Sequence, residues 1–160
     1  VCGAVDRRAH YGVHGVIRVR IVCVGKLKEE YWRAALAEYS KRLARFCRLE
    51  VTELPERRTP EEEADAILRA CRGHVFALAV EGKQVSSEQF AAEISSLCDA
   101  GKEMTFVIGS SCGLAERVKR QADGLLSFSK MTFPHQMMRV ILAEQIYRAF
   151  MIAAGAEYHK

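Results

Sequence analysis

Val75, Phe76, Ala77, Leu78, Ala79 and Val80 form an unbroken apolar run, and Met104, Phe106, Val107 and Ile108, with Thr105 among them, form a second. Neither alternates with polar residues, so neither suits a strand with one wet face. Short apolar runs of this kind fit strands covered on both sides, as in a parallel sheet flanked by helices. Parallel neighbours need long crossovers, usually helical, and the chain supplies them. Residues 17–24 alternate, with Ile17, Val19, Ile21 and Cys23 on one side and Arg18 and Arg20 on the other, before turning fully apolar at Val22 and Val24. Trp32, Ala35, Leu36, Tyr39, Leu43 and Phe46 make one helical stripe over residues 29–47. A strand follows over 49–54.

Helix starts mark the next crossovers. Thr59-Pro60-Glu61-Glu62 offers a cap, a proline suited to the first turn and a glutamate to complete a capping box; Ser86-Ser87-Glu88-Gln89 repeats the device. The first helix is expected to reach Cys71, the second Leu97. A short helix is expected over 115–122, a last strand over 125–128, and a long helix from Pro134 to Ala153. Strands and helices thus alternate five times, which describes a single α/β domain with a parallel sheet and helices on both faces. In such sheets, ligands bind outside the carboxyl ends of the strands.

Composition sets limits. The 160 residues suit one domain, and 49% hydrophobic with 28% charged residues is ordinary for a globular chain. No apolar run approaches the ~20 residues of a membrane span. The formal charge of +4 admits an anionic partner without requiring one. Cys2, Cys23, Cys47, Cys71, Cys98 and Cys112 include no C-x-x-C pair and no zinc-like spacing with histidine. They read as apolar filler in a reducing cytoplasm, and no metal is expected. Residues 1–15 lack apolar periodicity and read as a disordered or artefactual extension; residues 16–160 carry the domain.

The loops after the last three strands hold the informative residues. Glu81-Gly82-Lys83 follows the first. Gly109-Ser110-Ser111-Cys112-Gly113 follows the second; it matches neither a dinucleotide fingerprint nor a P-loop. Ser129-Lys130-Met131-Thr132-Phe133-Pro134-His135 follows the third, combining hydroxyls, apolar side chains and a helix start, with Thr132 as the alternative plain cap. The final helix carries Met137, Met138, Val140, Ile141, Leu142, Ile146, Ala149, Phe150 and Ile152 on more than one face, which points to cover from a second subunit. Arg139 and Arg148 fall on opposite faces of it, and Glu144 stands four residues before Arg148. The chain ends Tyr158-His159-Lys160.

Several segments together are similar to one family. They are Val22-Cys23-Val24-Gly25-Lys26-Leu27-Lys28, Glu38-Tyr39 with Lys41-Arg42-Leu43, Glu81-Gly82-Lys83, Phe106-Val107-Ile108-Gly109, the run from Leu126 through Ser129-Lys130-Met131-Thr132-Phe133-Pro134-His135, Glu144-Gln145-Ile146-Tyr147-Arg148-Ala149, and Tyr158-His159-Lys160. Over residues 16–160 the chain resembles the ribosomal RNA large-subunit methyltransferase H family (RlmH), pseudouridine-N3 methyltransferases of the SPOUT superfamily. The resemblance implies an α/β knot, with a trefoil formed by the C-terminal segment, although knots are rare. It implies a cytoplasmic homodimer that uses S-adenosyl-L-methionine and methylates N3 of a pseudouridine in 23S rRNA of the assembled ribosome. It places the cofactor against Leu78, Gly109, Phe128, Ser129, Lys130, Met131, Thr132 and Phe133, and associates Tyr158, His159 and Lys160 with catalysis and RNA. Residues 1–15 have no counterpart. Where the family has a second glycine, this chain has Ser110, which a positive φ would strain.

On this reading His159 is the candidate base for the N3 proton, its ordinary pKa lying near neutrality; Lys160 would stabilise the developing anion or hold phosphate, and Tyr158 would orient the base. These roles are interchangeable. RNA contacts are expected from Lys26, His135, Arg139 and Arg148, with Lys28, Lys41, Arg42 and Arg45 as further cations; for each the alternative is a solvated surface charge. Competing readings are a SPOUT enzyme acting on another RNA such as tRNA, a non-catalytic S-adenosylmethionine-binding domain, and a flavodoxin-like domain. The last would need a Ser/Thr-rich loop after Val24, which is lacking.

Overall fold

The computed structural model describes residues 15–156. The extension, apart from Gly15, and Tyr158, His159 and Lys160 lie outside the described residues. The elements run β1 (Arg18–Val24), α1 (Glu30–Leu43), β2 (Arg48–Leu54), α2 (Pro60–Ala70), β3 (His74–Gln84), α3 (Ser87–Asp99), β4 (Met104–Ile108), α4 (Glu116–Gln121), β5 (Gly124–Ser127) and α5 (His135–Ala153). The five strands form one sheet in the order β2-β1-β4-β3-β5, and every pairing is parallel.

Strand periodicity divides the core. Ile21, Cys23, Phe76 and Phe106 face α1, α3 and α5, where Leu36, Leu43, Phe90, Ile94, Leu142, Ile146 and Phe150 are buried with them. Val22, Val24, Ala77 and Val107 face the other way, onto Ala64 and Ile67 of α2 and Val118 of α4. Phe76 stacks on Phe106, centroids 4.9 Å apart, across neighbouring strands. β4 is buried along its whole length, as its composition predicts. Its one polar member, Thr105, is satisfied by giving its hydroxyl proton to the Arg72 carbonyl at 2.6 Å and accepting from the Arg72 amide at 3.0 Å.

The helix starts behave unequally. At Ser86 both halves of the capping box form. At Thr59 the hydroxyl accepts from the Glu62 amide at 3.3 Å, but the expected return bond from Glu62 is replaced by Glu63, whose buried carboxylate accepts from the Arg57 amide at 3.0 Å. α1 stops at Leu43, short of the expected Cys47, and residues 44–46 form a turn. Pro134 sits at the N-cap of α5, one residue before the helix proper, so Thr132 does not cap it.

Two departures matter for the ends of the strands. β3 does not stop at Val80. It pairs with β5 through Leu78, arches outward, and resumes pairing at Lys83, so that Leu126 is the partner of both Leu78 and Lys83. Gly82 permits the return, since a Cβ there would lie 2.8 Å from the backbone of Leu125 and Leu126. The strand is therefore covered on both faces only at Phe76 and Ala77, and Val80 is 47% exposed.

The second departure is Arg139. Expected to face RNA, its side chain is instead 0% exposed. Its guanidinium donates to Glu53 Oε2 at 2.9 Å, to the Val24 carbonyl at 2.8 Å and to the Gly25 carbonyl at 2.7 Å. Glu53 Oε2 also accepts from the Leu27 amide at 2.8 Å. α5 is thus tied to the carboxyl ends of β1 and β2. Glu53→Ala would leave the buried Arg139 charge without its carboxylate. Urea unfolding should show a loss of about 2–3 kcal/mol with an unchanged slope; a loss under about 0.5 kcal/mol would mean the two carbonyls suffice.

Candidate functional site

The carboxyl ends of β3, β4 and β5 enclose a cleft of about 550 Å³, within the roughly 300–1,000 Å³ usual for small-molecule sites. Each of the three loops singled out in the sequence contributes a wall. The arch in β3 presents Leu78, Ala79, Val80 and Glu81; the β4 exit presents Ile108, Gly109, Ser110, Ser111, Gly113 and Leu114; the β5 exit presents Phe128, Ser129, Met131, Thr132 and Phe133, followed by Pro134, His135 and Met138.

The glycines of the β4 exit have different jobs. Gly109 has an ordinary φ, yet a Cβ on it would lie 2.5 Å from the Gly113 carbonyl oxygen. Space, not conformation, requires glycine there. Gly113 has φ +81° and open space around it. The Gly113 amide donates to the Ser110 carbonyl at 2.9 Å and closes the loop. Among the described residues no side-chain-bearing residue has a positive φ, so Ser110 carries none of the strain considered from the sequence. It is buried instead, its hydroxyl accepting from the Cys112 amide at 3.4 Å.

The β5 exit is shaped by two serines. Ser127, buried at the strand end, donates its hydroxyl to the Ser129 carbonyl at 2.9 Å, and Ser129 accepts from the Met131 amide at 3.0 Å. This leaves Met131 75% exposed at the cleft mouth, an apolar surface that a ligand would cover.

Of the residues expected at a cofactor, Leu78, Gly109, Phe128, Ser129, Met131, Thr132 and Phe133 line one cleft; Lys130 lies in the same loop but is exposed outside the lining. Of those expected at RNA, His135 lines the cleft, Lys26 is exposed on the β1–α1 loop away from the lining, Arg139 is buried, and Arg148 is held by Glu144, Nε to Oε1 at 2.9 Å. Ser127, Lys119 and Met138 also line the cleft and were not singled out from the sequence as binding residues. A hydroxyl at the end of a buried strand was a usable signal for Ser127; nothing local marks Lys119.

Burial lowers the pKa of His135 from its ordinary 6.5, and the nearby charges of Arg139 and Lys28 act in the same direction against Glu56. The imidazole is therefore neutral at neutral pH. Among the described residues no cluster of side chains is arranged to hold a metal ion. Apolar walls with a few hydroxyls and exposed backbone suit a small organic ligand.

The chain matches the family described as "Predicted SPOUT methyltransferase" over residues 17–159. It is 46% identical over 159 residues to ribosomal RNA large subunit methyltransferase H of Lactobacillus helveticus, covering 90% of this chain and 100% of that protein. It is 48% identical to the protein of that name from Bifidobacterium adolescentis, with the same coverage. The fold is similar to a solved methylase-family structure from Haemophilus influenzae, with TM-score 0.54 and 11% identity over 86% of this chain and 66% of that one.

Gly109→Ala should cost about 1–3 kcal/mol because the methyl meets backbone, whereas Gly113→Asn, with open space and a residue that tolerates the left-handed region, should cost under about 1 kcal/mol. Equal losses by thermal or urea unfolding would contradict the contact at Gly109. For His135 the sign is set by the lowered pKa. The unfolded chain binds the proton more readily, so this contribution to stability is complete above the ordinary value and is lost as pH falls through 6.5. Between about pH 7.5 and about pH 5.5 the native protein should lose more Tm than His135→Gln; parallel losses would show that His135 contributes nothing.

Proposed function

Because this chain belongs to the SPOUT methyltransferase family, we propose that it methylates large-subunit ribosomal RNA with S-adenosylmethionine, at N3 of a pseudouridine in assembled ribosomes. The observation that carries the reading is the convergence of seven expected cofactor residues, from three separate loops, on one cleft.

The residues fit the cofactor. Gly109 and Gly113 let backbone approach a planar base closely, and Leu78, Ile108, Leu126, Phe128, Phe133 and Met138 provide apolar surface for it. The sulfonium of the bound cofactor supplies an activated methyl group and its own leaving group. The protein's task is then alignment of methyl and nucleophile, with water kept out. The β5-exit loop, fixed by Ser127 and Ser129, holds one wall, and Met131 stands ready to cover the mouth. The N3 proton needs an acceptor. His159 takes that role in our reading, with Lys160 against the developing anion and Tyr158 orienting the base.

The enzyme works as a homodimer on this reading. Met137 and Ile141, four residues apart on α5, are only half-buried in the single chain, which suits a helix face completed by a partner. A trefoil path for the C-terminal segment accords with β4 lying between β1 and β3 while α5 returns from the β5 edge to pack on α1 and α3. Lys26 and His135 are offered to RNA on this reading, and Arg148, which pairs with Glu144 on α5, joins them; Arg139 serves the fold. The proposed substrate, the ribosome, makes the enzyme cytoplasmic on this reading; no helix of the described residues is long and apolar enough to cross a membrane.

Labelled S-adenosylmethionine offered with ribosomes, separate subunits and naked rRNA should give incorporation at one pseudouridine, strongest in the assembled particle. Cofactor binding without incorporation into any RNA would instead favour a binding-only domain, and incorporation into tRNA would move the target. Removal of residues 158–160 should abolish transfer while cofactor binding persists; full activity of that truncation would exclude the tail from the chemistry.

A further inference from the structure

Among the described residues the cleft lining has three titratable side chains: Glu81, Lys119 and His135. His135 is kept neutral by its surroundings. The charge of the site is therefore concentrated in one pair, Lys119 Nζ standing 2.6 Å from Glu81 Oε1. The two partners are 38 positions apart in the chain. Glu81 reaches the pair only because β3 arches away from β5 between Leu78 and Lys83. Lys119 comes from α4, where Arg117 is paired instead with Glu61 and Asp65 of α2 and Arg120 is exposed. Of the three cations of this helix, only Lys119 lines the cleft.

The partners differ in exposure. The Lys119 side chain is 17% exposed and the Glu81 side chain 56%. The lysine is thus the more covered member of the pair and the glutamate the more exposed. Lys119 has three donor hydrogens; Glu81 and Glu116, the latter at 3.3 Å, account for two.

We propose that Lys119 and Glu81 form the subsite for the amino-acid end of the cofactor, Lys119 holding its carboxylate and Glu81 its ammonium. The inference rests on the methyltransferase reading above and goes beyond the residues implied by family resemblance. Its physical basis is charge matching. The adenosine part of S-adenosylmethionine is uncharged and suits the apolar walls; its amino-acid end is a zwitterion that must lose water on entry. A zwitterion inserted into an existing ion pair exchanges partners without leaving any charge uncompensated, which a wholly apolar wall would not allow. Bonds to charged groups are also the strong ones.

Two ligands with an uncharged sulfur separate this subsite from the rest of the cleft. S-adenosylhomocysteine has the amino-acid end; methylthioadenosine lacks it. Both are titrated calorimetrically into native protein, Lys119→Met and Glu81→Gln. Lys119→Met keeps most of the aliphatic stem and should weaken S-adenosylhomocysteine by roughly ten- to a hundredfold, with methylthioadenosine changed less than about twofold. Glu81→Gln should give a smaller loss confined to the same ligand. Equal weakening of both ligands would show a purely structural ion pair and overturn the proposal, as would unchanged binding of S-adenosylhomocysteine in both variants. Native protein that binds neither ligand would overturn the methyltransferase reading itself.

Discussion

The guanidinium of Arg139 holds together parts of the chain that local forces do not join. It reaches from the first turns of α5 to the carbonyls ending β1 and to Glu53 near the end of β2. Those carbonyls lie where β1 ceases to pair, and a buried carbonyl without a donor is costly. Glu53, also bonded to the Leu27 amide, fixes the β1–α1 turn. The entry of α5 is consequently set against the sheet rather than left to apolar packing, which has no direction. Pro134, His135 and Met138 stand just before Arg139 and line the cleft, so the position of that wall follows from the same junction. A charge wholly removed from water is tolerated because three acceptors converge on it, although its Nε finds none.

The opposite wall depends on backbone proximity. Gly82 lets the end of β3 return to β5 after the arch, and Gly109 lets the β4 exit fold back onto Gly113. Both glycines are needed for what a Cβ would strike, not for a left-handed conformation. The arch lifts residues 79–81 off the sheet and turns what would be a strand edge into a cleft wall. A parallel sheet of five strands provides only the platform; the two backbone detours give the site its depth.

The alternation of strands and helices was legible because burial imposes it on each segment separately. The apolar run at β4 needs no knowledge of its neighbours, and the Ser86 capping box is complete within four residues. The three cleft loops could be located from the strand ends alone. What escaped was long-range. Arg139 and Arg148 stand on opposite faces of α5, and nothing local says which face is covered; one meets Glu53, 86 positions earlier, and is buried, while the other pairs within its own helix. The β3 arch escaped because Glu81-Gly82-Lys83 reads equally as a loop or as a bulged strand until β5 is in place. Lys119 escaped for the same reason: its partner is brought to it by that arch. The strain considered at Ser110 did not arise because the left-handed residue of the loop is Gly113.

The ionisable groups also limit the chemistry this cleft can perform. Burial pushes the thiols of Cys23 up to about 11 and of Cys47 and Cys98 up to about 12, so these cysteines stay protonated and serve as core. Among the described residues the cleft lining has hydroxyls and one histidine, His135, whose imidazolium is disfavoured by burial and by the charges of Arg139 and Lys28 against that of Glu56, and no hydrogen bond joins it to a hydroxyl of the lining. A covalent methyl–enzyme intermediate would need an activated nucleophile, and the lining shows none among the described residues. Direct transfer between two bound molecules needs none; it asks for apposition, which the backbone-built walls are suited to give. On the proposed reading, cofactor binding falls to the three loops and proton removal to groups outside the cleft lining.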